Sequence, residues 1–271
     1  MVFYYPYDST VSLKSKVLVV PVVSVGNVSQ LAVDLLIATI GLKQIGIFDA
    51  RDLVPVAGPR EEGSGISTPL ELYGKDGVDV VVIQQRSPVV KSHKESFSTS
   101  LLMFVQENEL GALLFLTGVD LSNRSDAQMR SPIHSLIPPR SPSLESSPIS
   151  LISQLPVYTY ATLQTPSGAS VLSVPTTPTL PYSPDSIPFI PGGGLTRRLL
   201  SHSPPSSNTQ KWTVPTAAIL QFVLEGDNRA DAEYLAGVVA GVLHLRVDGW
   251  KQPGSWNVGL FGTPHDQTLY G

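Results

Sequence analysis

The sequence predicts an α/β protein, a three-layer α/β/α sandwich around a mainly parallel sheet, with a long low-complexity insertion. Three observations lead there: continuous Val-rich runs of strand length, apolar helical stripes alternating with them, and a proline excess gathered in one window. An uninterrupted apolar run is the form a strand takes when both faces of its sheet are covered. Strands alternating with helices imply right-handed crossovers and parallel pairing.

Lys16 to Val23 (KVLVVPVV) is the first such strand. After SVGN, residues Val28, Leu31, Ala32, Leu35, Leu36 and Thr39 recur at helical spacing, and Gly41 stands where that helix would end. Lys43 to Asp49 and Gly77 to Gln84 read as strands. Lys94 to Asn108 places Phe97, Leu101, Phe104 and Val105 on one helical face, and Ala112 to Asp120 (ALLFLTGVD) is another strand. Trp212 to Leu224 fits either state, its β-branched residues and Val-Pro start favouring a strand. Asp231 to Leu245 carries the stripe Leu235, Val238, Val239, Val242 and Leu243, with Asp227 or Asn228 available to cap it.

Between these halves the text changes. Of 24 prolines, 15 fall between Ser131 and Pro205, a window holding only 5 of the 40 charged residues. Each proline removes a ladder donor and restricts the residue before it, so neither a helix nor a central strand is expected to run through this window. Two pieces are less biased, Leu155 to Leu163 and Ile187 to Leu200. The chain is therefore expected to form one α/β domain over residues 1–247, interrupted by a flexible Pro/Ser-rich insert at about 131–186, with residues 248–271 as a C-terminal tail.

Composition removes several function classes. The 271 residues carry 18 Lys+Arg against 22 Asp+Glu without a basic run, so neither nucleic acid nor an anionic membrane is an expected partner. No segment approaches the roughly 18 apolar residues of a membrane span. With 0 cysteines there is no disulfide, thiolate metal site or cysteine nucleophile, which fits a cytoplasmic or nuclear location. The histidines His93, His134, His202, His244 and His265 are scattered, so surface or packing roles outweigh metal or catalytic ones. Neither the Gly-x-Ser-x-Gly elbow nor a Walker pattern occurs, and no catalytic residue is assigned.

Three glycine turns remain: Ser24 to Asn27, Pro191 to Thr196 with Arg197 and Arg198 close by, and Glu225 to Asn228. Each can be a tight turn beside a helix, or free backbone N–H groups holding an anion. The second possibility keeps a phosphorylase-like or nucleotide-binding enzyme as the alternative reading.

The blocks VPVVSVGNVSQLAVDLL (Val20 to Leu36), IGIFDARDLVPVAG (Ile45 to Gly58), VIQQRS (Val82 to Ser87), IPGGGLTRRLL (Ile190 to Leu200) and LQFVLEGDNRADA (Leu220 to Ala232) together resemble the proteasome assembly chaperone 2 family in its fungal form. The resemblance spans Val17 to about Leu245. It implies a non-enzymatic chaperone that pairs with proteasome assembly chaperone 1, sits on the outer face of the α-subunit ring of the core proteasome and promotes correct ring assembly. It implies no cofactor. The final residues Leu269-Tyr270-Gly271 look like the hydrophobic-tyrosine-any docking motif of proteasome activators. Such a tail threads a pocket between adjacent α subunits, burying Leu269 and the Tyr270 ring and pairing the terminal carboxylate of Gly271 with a lysine. Ser-Pro and Thr-Pro dipeptides at Ser131, Ser141, Ser147, Ser183, Ser203, Thr165 and Thr177 suit proline-directed kinases, although Ser and Pro are abundant there.

Overall fold

The structure, a computed structural model, describes residues 2–7, 11–61, 65–160, 186–201 and 212–257. In chain order its elements are β1 (Tyr4–Pro6), β2 (Val17–Pro21), α1 (Val28–Ile40), β3 (Lys43–Phe48), β4 (Gly58–Pro59), β5 (Ile66–Ser67), β6 (Leu70–Gly74), β7 (Val80–Gln85), α2 (Lys94–Glu107), β8 (Ala112–Asp120), β9 (Ile133–Leu136), α3 (Gly194–Ser201), β10 (Thr216–Val223) and α4 (Arg229–Val242). Eight strands form one sheet in the order β1-β3-β6-β7-β2-β8-β10-β9, and β4 pairs with β5 in a separate short ribbon. The centre β7-β2-β8-β10 is parallel throughout. Antiparallel partners flank it, β6, β3 and β1 on one side and β9 on the other.

The Val-rich runs form the parallel centre because both of its faces are covered. Along β2, Leu18 and Val20 point into one core layer and Val17 and Val19 into the other. Along β8, Leu113 and Phe115 alternate in the same way with Ala112, Leu114 and Leu116. Helices α2 and α3 cover the first face through Phe97, Leu101, Leu195 and Leu199. Helices α1 and α4 cover the second through Val28, Leu35, Leu235 and Val239. Every residue of β10 is buried, which places the ambiguous segment at 212–224 in the sheet as a strand. Burial of each such large apolar side chain contributes about 1.5–3 kcal/mol, and the two-sided alternation is what specifies the register.

Three strands of the eight-stranded sheet escape the sequence pattern. β1 brings Phe3 and Tyr4 against Phe48 and Phe104, with ring centroids 5.0–5.2 Å apart in three of the pairs. β6 contains the fully buried carboxylate Glu71. β9 lies inside the window expected to be an insert. There the expectation is corrected for residues 131–160: Ile133–Leu136 pairs with β10, and Leu144, Ile149, Ile152 and Tyr158 enter the two cores. The physical reason is position. β9 is an edge strand, so Pro132 and Pro138 can bracket it without breaking a central ladder, and the Pro132 carbonyl accepts from the Phe222 N–H at 2.8 Å. Residues 161–185 lie outside the described residues.

The expected tail also begins later than Asp248. Residues 248–257 lie on the α1/α4 face, where Trp250 and Trp256 pack against the second core. Leu269, Tyr270 and Gly271 lie outside the described residues.

Candidate functional site

All three glycine turns converge at the carboxyl ends of the parallel strands. The first forms a 3-10 turn, Val25–Asn27, in which Gly26 and Asn27 take left-handed φ values of 63° and 50°. Ser24 Oγ accepts from the Gly118 N–H at 2.7 Å and donates to the Val22 carbonyl at 2.9 Å, fastening this turn to β8. The third turn closes over it from β10. Asn228 Nδ2 donates to the Gly26 carbonyl at 3.2 Å and to the Gly226 carbonyl at 3.1 Å. Asn228 therefore occupies the cap position of α4 without capping it through its side chain, while Asp227 accepts from the Arg229 N–H at 3.2 Å.

The middle turn joins from the other side. Gly192, at φ 71°, faces Val25, and the following helix α3 is held to β8 by Thr196 Oγ1 donating to Thr117 Oγ1 at 3.2 Å. Within the run of three, Gly193 is the crowded one, and the chain itself crowds it. A Cβ on Gly193 would come within 2.4 Å of Ile190, one on Gly118 within 2.5 Å of the Val25 carbonyl, and one on Gly26 within 2.3 Å of Asn228. In open α/β sheets this edge is the usual place for a ligand, but here several of the groups that would hold one are bonded to each other.

Beside α3 a shallow groove of about 300 Å³ is lined by Gly194, Arg197, Arg198 and Ser201. Both arginines are engaged: Arg198 pairs with Glu95 of α2, and Arg197 stands 5.7 Å from the Phe189 ring and donates to the Ile187 carbonyl at 3.4 Å. The histidines do not assemble either. His93 meets Asp52 at 3.1 Å, and His134 is buried on β9, its ring 5.6 Å from Phe222 and its pKa held down by burial and then by Arg124. Among the described residues no group of three or more His, Cys, Asp or Glu side chains could hold a metal ion, and no helix is long and apolar enough to cross a membrane.

A polar seam under α1 was not visible in the sequence. Gln84 on β7 donates to Asp34 Oδ1 at 2.6 Å and to the Gln30 carbonyl at 3.1 Å. Arg86 lies 3.3 Å from Asp34, while buried Glu71 accepts from Thr68 N–H and from the Tyr73 hydroxyl, both at 2.8 Å. Burial pushes Asp34 above its ordinary range; Arg86 and Gln84 act in the opposite direction, and the charge of Glu61 adds to the rise. Burial, then the Glu71 charge, also pushes Tyr73 up. The seam fastens α1 to β6 and β7 and offers neither an open cleft nor an exposed nucleophile.

The comparisons with known proteins agree with this architecture. The family model described as the PAC2 family matches residues 18–239. The chain is 30% identical over 269 residues to "Proteasome assembly chaperone 2" of Danio rerio, covering 94% of this chain and 95% of that one. It is 32% identical over 280 residues to the protein of the same name from Mus musculus, covering 97% and 98%. Among solved structures, Pyrococcus furiosus PbaA, described as an archaeal homolog of proteasome-assembly chaperone, superposes with a TM-score of 0.60 at 14% identity, covering 90% of this chain and 88% of that one. PbaB of the same organism, described as an archaeal proteasome activator, gives 0.55 at 14% identity, covering 92% of each. The two solved structures share the fold, and with a family model matched from β2 into α4, this chain belongs to the PAC2 family.

Proposed function

We propose that the chain is a non-enzymatic chaperone for assembly of the core proteasome, acting as a heterodimer with proteasome assembly chaperone 1 on the outer face of the α-subunit ring. The observation that carries this reading is similarity along the whole chain to proteins named proteasome assembly chaperone 2, at 30–32% identity and 94–97% coverage. The strand ends support it. The Asn228 amide ties the third glycine turn to the first, and the Ser24 hydroxyl oxygen accepts from the Gly118 N–H, so both side chains serve the fold. Agreement of fold alone would supply no function.

In this reading Leu269, Tyr270 and Gly271 bind a pocket between adjacent α subunits, in the cytoplasm or the nucleus. Burial of one apolar side chain and one aromatic ring, with a carboxylate–lysine pair, is enough to recognise such a pocket. Affinity purification of the full chain followed by mass spectrometry tests the proposal. Proteasome assembly chaperone 1 and α subunits should co-purify in comparable amounts, and their absence from a preparation of folded protein would remove it.

A further inference from the structure

The ten residues that precede the undescribed C-terminal segment are held to the rest of the domain at three places. The Lys251 N–H donates to Thr39 Oγ1 at 3.0 Å, in the last turn of α1. Trp250 and Trp256 pack against the α1/α4 core. The Ser255 N–H donates to Glu61 Oε2 at 2.9 Å, and the Ser255 hydroxyl donates to the other oxygen of the same carboxylate. The segment therefore runs from the last turn of α1 to the loop that carries Glu61.

We infer that residues 248–257 are a strap that fixes the launch point of the C-terminal segment, with Glu61 as its positioning residue and Trp250 and Trp256 as its apolar contacts. The inference rests on the proposed docking of Leu269–Gly271. Fourteen residues, 258–271, follow the strap. At 3.3–3.6 Å per extended residue they reach at most about 50 Å from a fixed origin. Freeing the strap would lengthen that tether to 24 residues, 248–271, and move its origin. Effective concentration at a pocket falls roughly as the −3/2 power of tether length, so length alone would weaken docking about twofold, and loss of direction adds to this.

The test uses the full chain and reads the strap and the docking separately. Hydrogen exchange should show the Ser255 amide protected in the parent, and Glu61→Ala with Trp256→Ala should reduce that protection at least tenfold while the β8 and β10 amides stay protected. The same double variant should bind isolated α-rings at least about twofold more weakly. Because the chain has 0 cysteines, Thr39→Cys with Lys251→Cys can be bridged by a short bis-maleimide without side reactions. The bridged protein should keep the affinity of the unbridged one. The proposal is overturned if bridging abolishes tail-dependent binding, if Ser255 exchanges equally in parent and variant, or if the variant loosens the strap without weakening binding. Deleting Leu269–Gly271 from the parent without any loss of affinity would instead remove the docking reading and, with it, the strap's role, whatever the exchange result.

Discussion

Asn228 and Gly26 are 202 positions apart, yet the Asn228 amide donates to the Gly26 carbonyl at 3.2 Å and fills the space that a side chain on Gly26 would need. One contact thus ties the turn after the first parallel strand to the turn before the last helix, and both predictions about this edge follow from it.

Gly26→Ala should destabilise the fold by about 2–5 kcal/mol. Its φ of 63° costs an L-residue about 1–2 kcal/mol, and the Cβ would be forced against Asn228 at a further cost of about 1–3 kcal/mol. Asn228→Ala should cost about 1–3 kcal/mol, because it leaves the Gly26 and Gly226 carbonyls without their donor. Urea unfolding followed by circular dichroism checks both. Values within 0.5 kcal/mol of the parent, the usual range for surface substitutions, would mean the turns are not fastened in this way.

With Ser24 and Asn228 bonded within the fold, ligands of the rival enzyme class are not expected to bind at this edge. Inorganic phosphate, nucleosides and nucleotides at millimolar concentration should leave the melting temperature unchanged. A ligand present at 100 times its Kd would add about 2.7 kcal/mol, so a saturable upward shift would be easy to see and would favour the enzyme.

Asp34 gives a pH dependence. Burial raises its pKa above the ordinary 3.8 despite Arg86 and Gln84, so the folded state holds this proton more tightly than the unfolded chain does. The associated stability is fully present below about pH 4 and is lost as the pH rises through the higher folded value. Asp34→Asn removes that titration. The stability of the parent relative to this variant should therefore fall as the pH rises above about 4, as followed by urea unfolding at a series of pH values. A difference that rises over the same range would show Arg86 outweighing burial.

Ser141 is one of the Ser-Pro serines, and its hydroxyl oxygen accepts from the Thr216 N–H at 2.9 Å where β10 begins. Ser131 and Ser147 are likewise bonded to nearby backbone, Ser131 Oγ to the Ile133 carbonyl at 2.9 Å and Ser147 Oγ to the Leu144 carbonyl at 2.8 Å. Proline-directed phosphorylation at Ser141 should be slow in the native protein and fast once it is unfolded, and Ser141→Ala should cost about 1–2 kcal/mol. Equal phosphorylation rates in the two states, measured by mass spectrometry, would contradict this.

Much of the fold was legible because its signal is local. Runs such as ALLFLTGVD and stripes such as Leu235, Val239 and Val242 declare strand and helix within a dozen residues. What stayed hidden depends on distant partners. IHSL is four residues between prolines and becomes β9 only because β10 lies beside it. LELYG reads as polar until Thr68 and Tyr73 are seen to satisfy Glu71. Each glycine turn was recognised singly, but their meeting is set by the sheet order. The strap could not be read at all: its tryptophans stand in a Gly- and Pro-containing stretch without periodicity, and its anchors Thr39 and Glu61 are some two hundred positions away.

The central claim is that the chain docks on the α-ring through its last three residues. The most direct measurement is the affinity of purified α-rings for the full chain, for Tyr270→Ala and for the chain lacking Leu269–Gly271, each checked for an unchanged far-UV spectrum and melting temperature. A buried aromatic anchor is commonly worth 2 kcal/mol or more, so both changes should weaken binding by about thirtyfold. Undiminished affinity in the truncated protein would contradict the account.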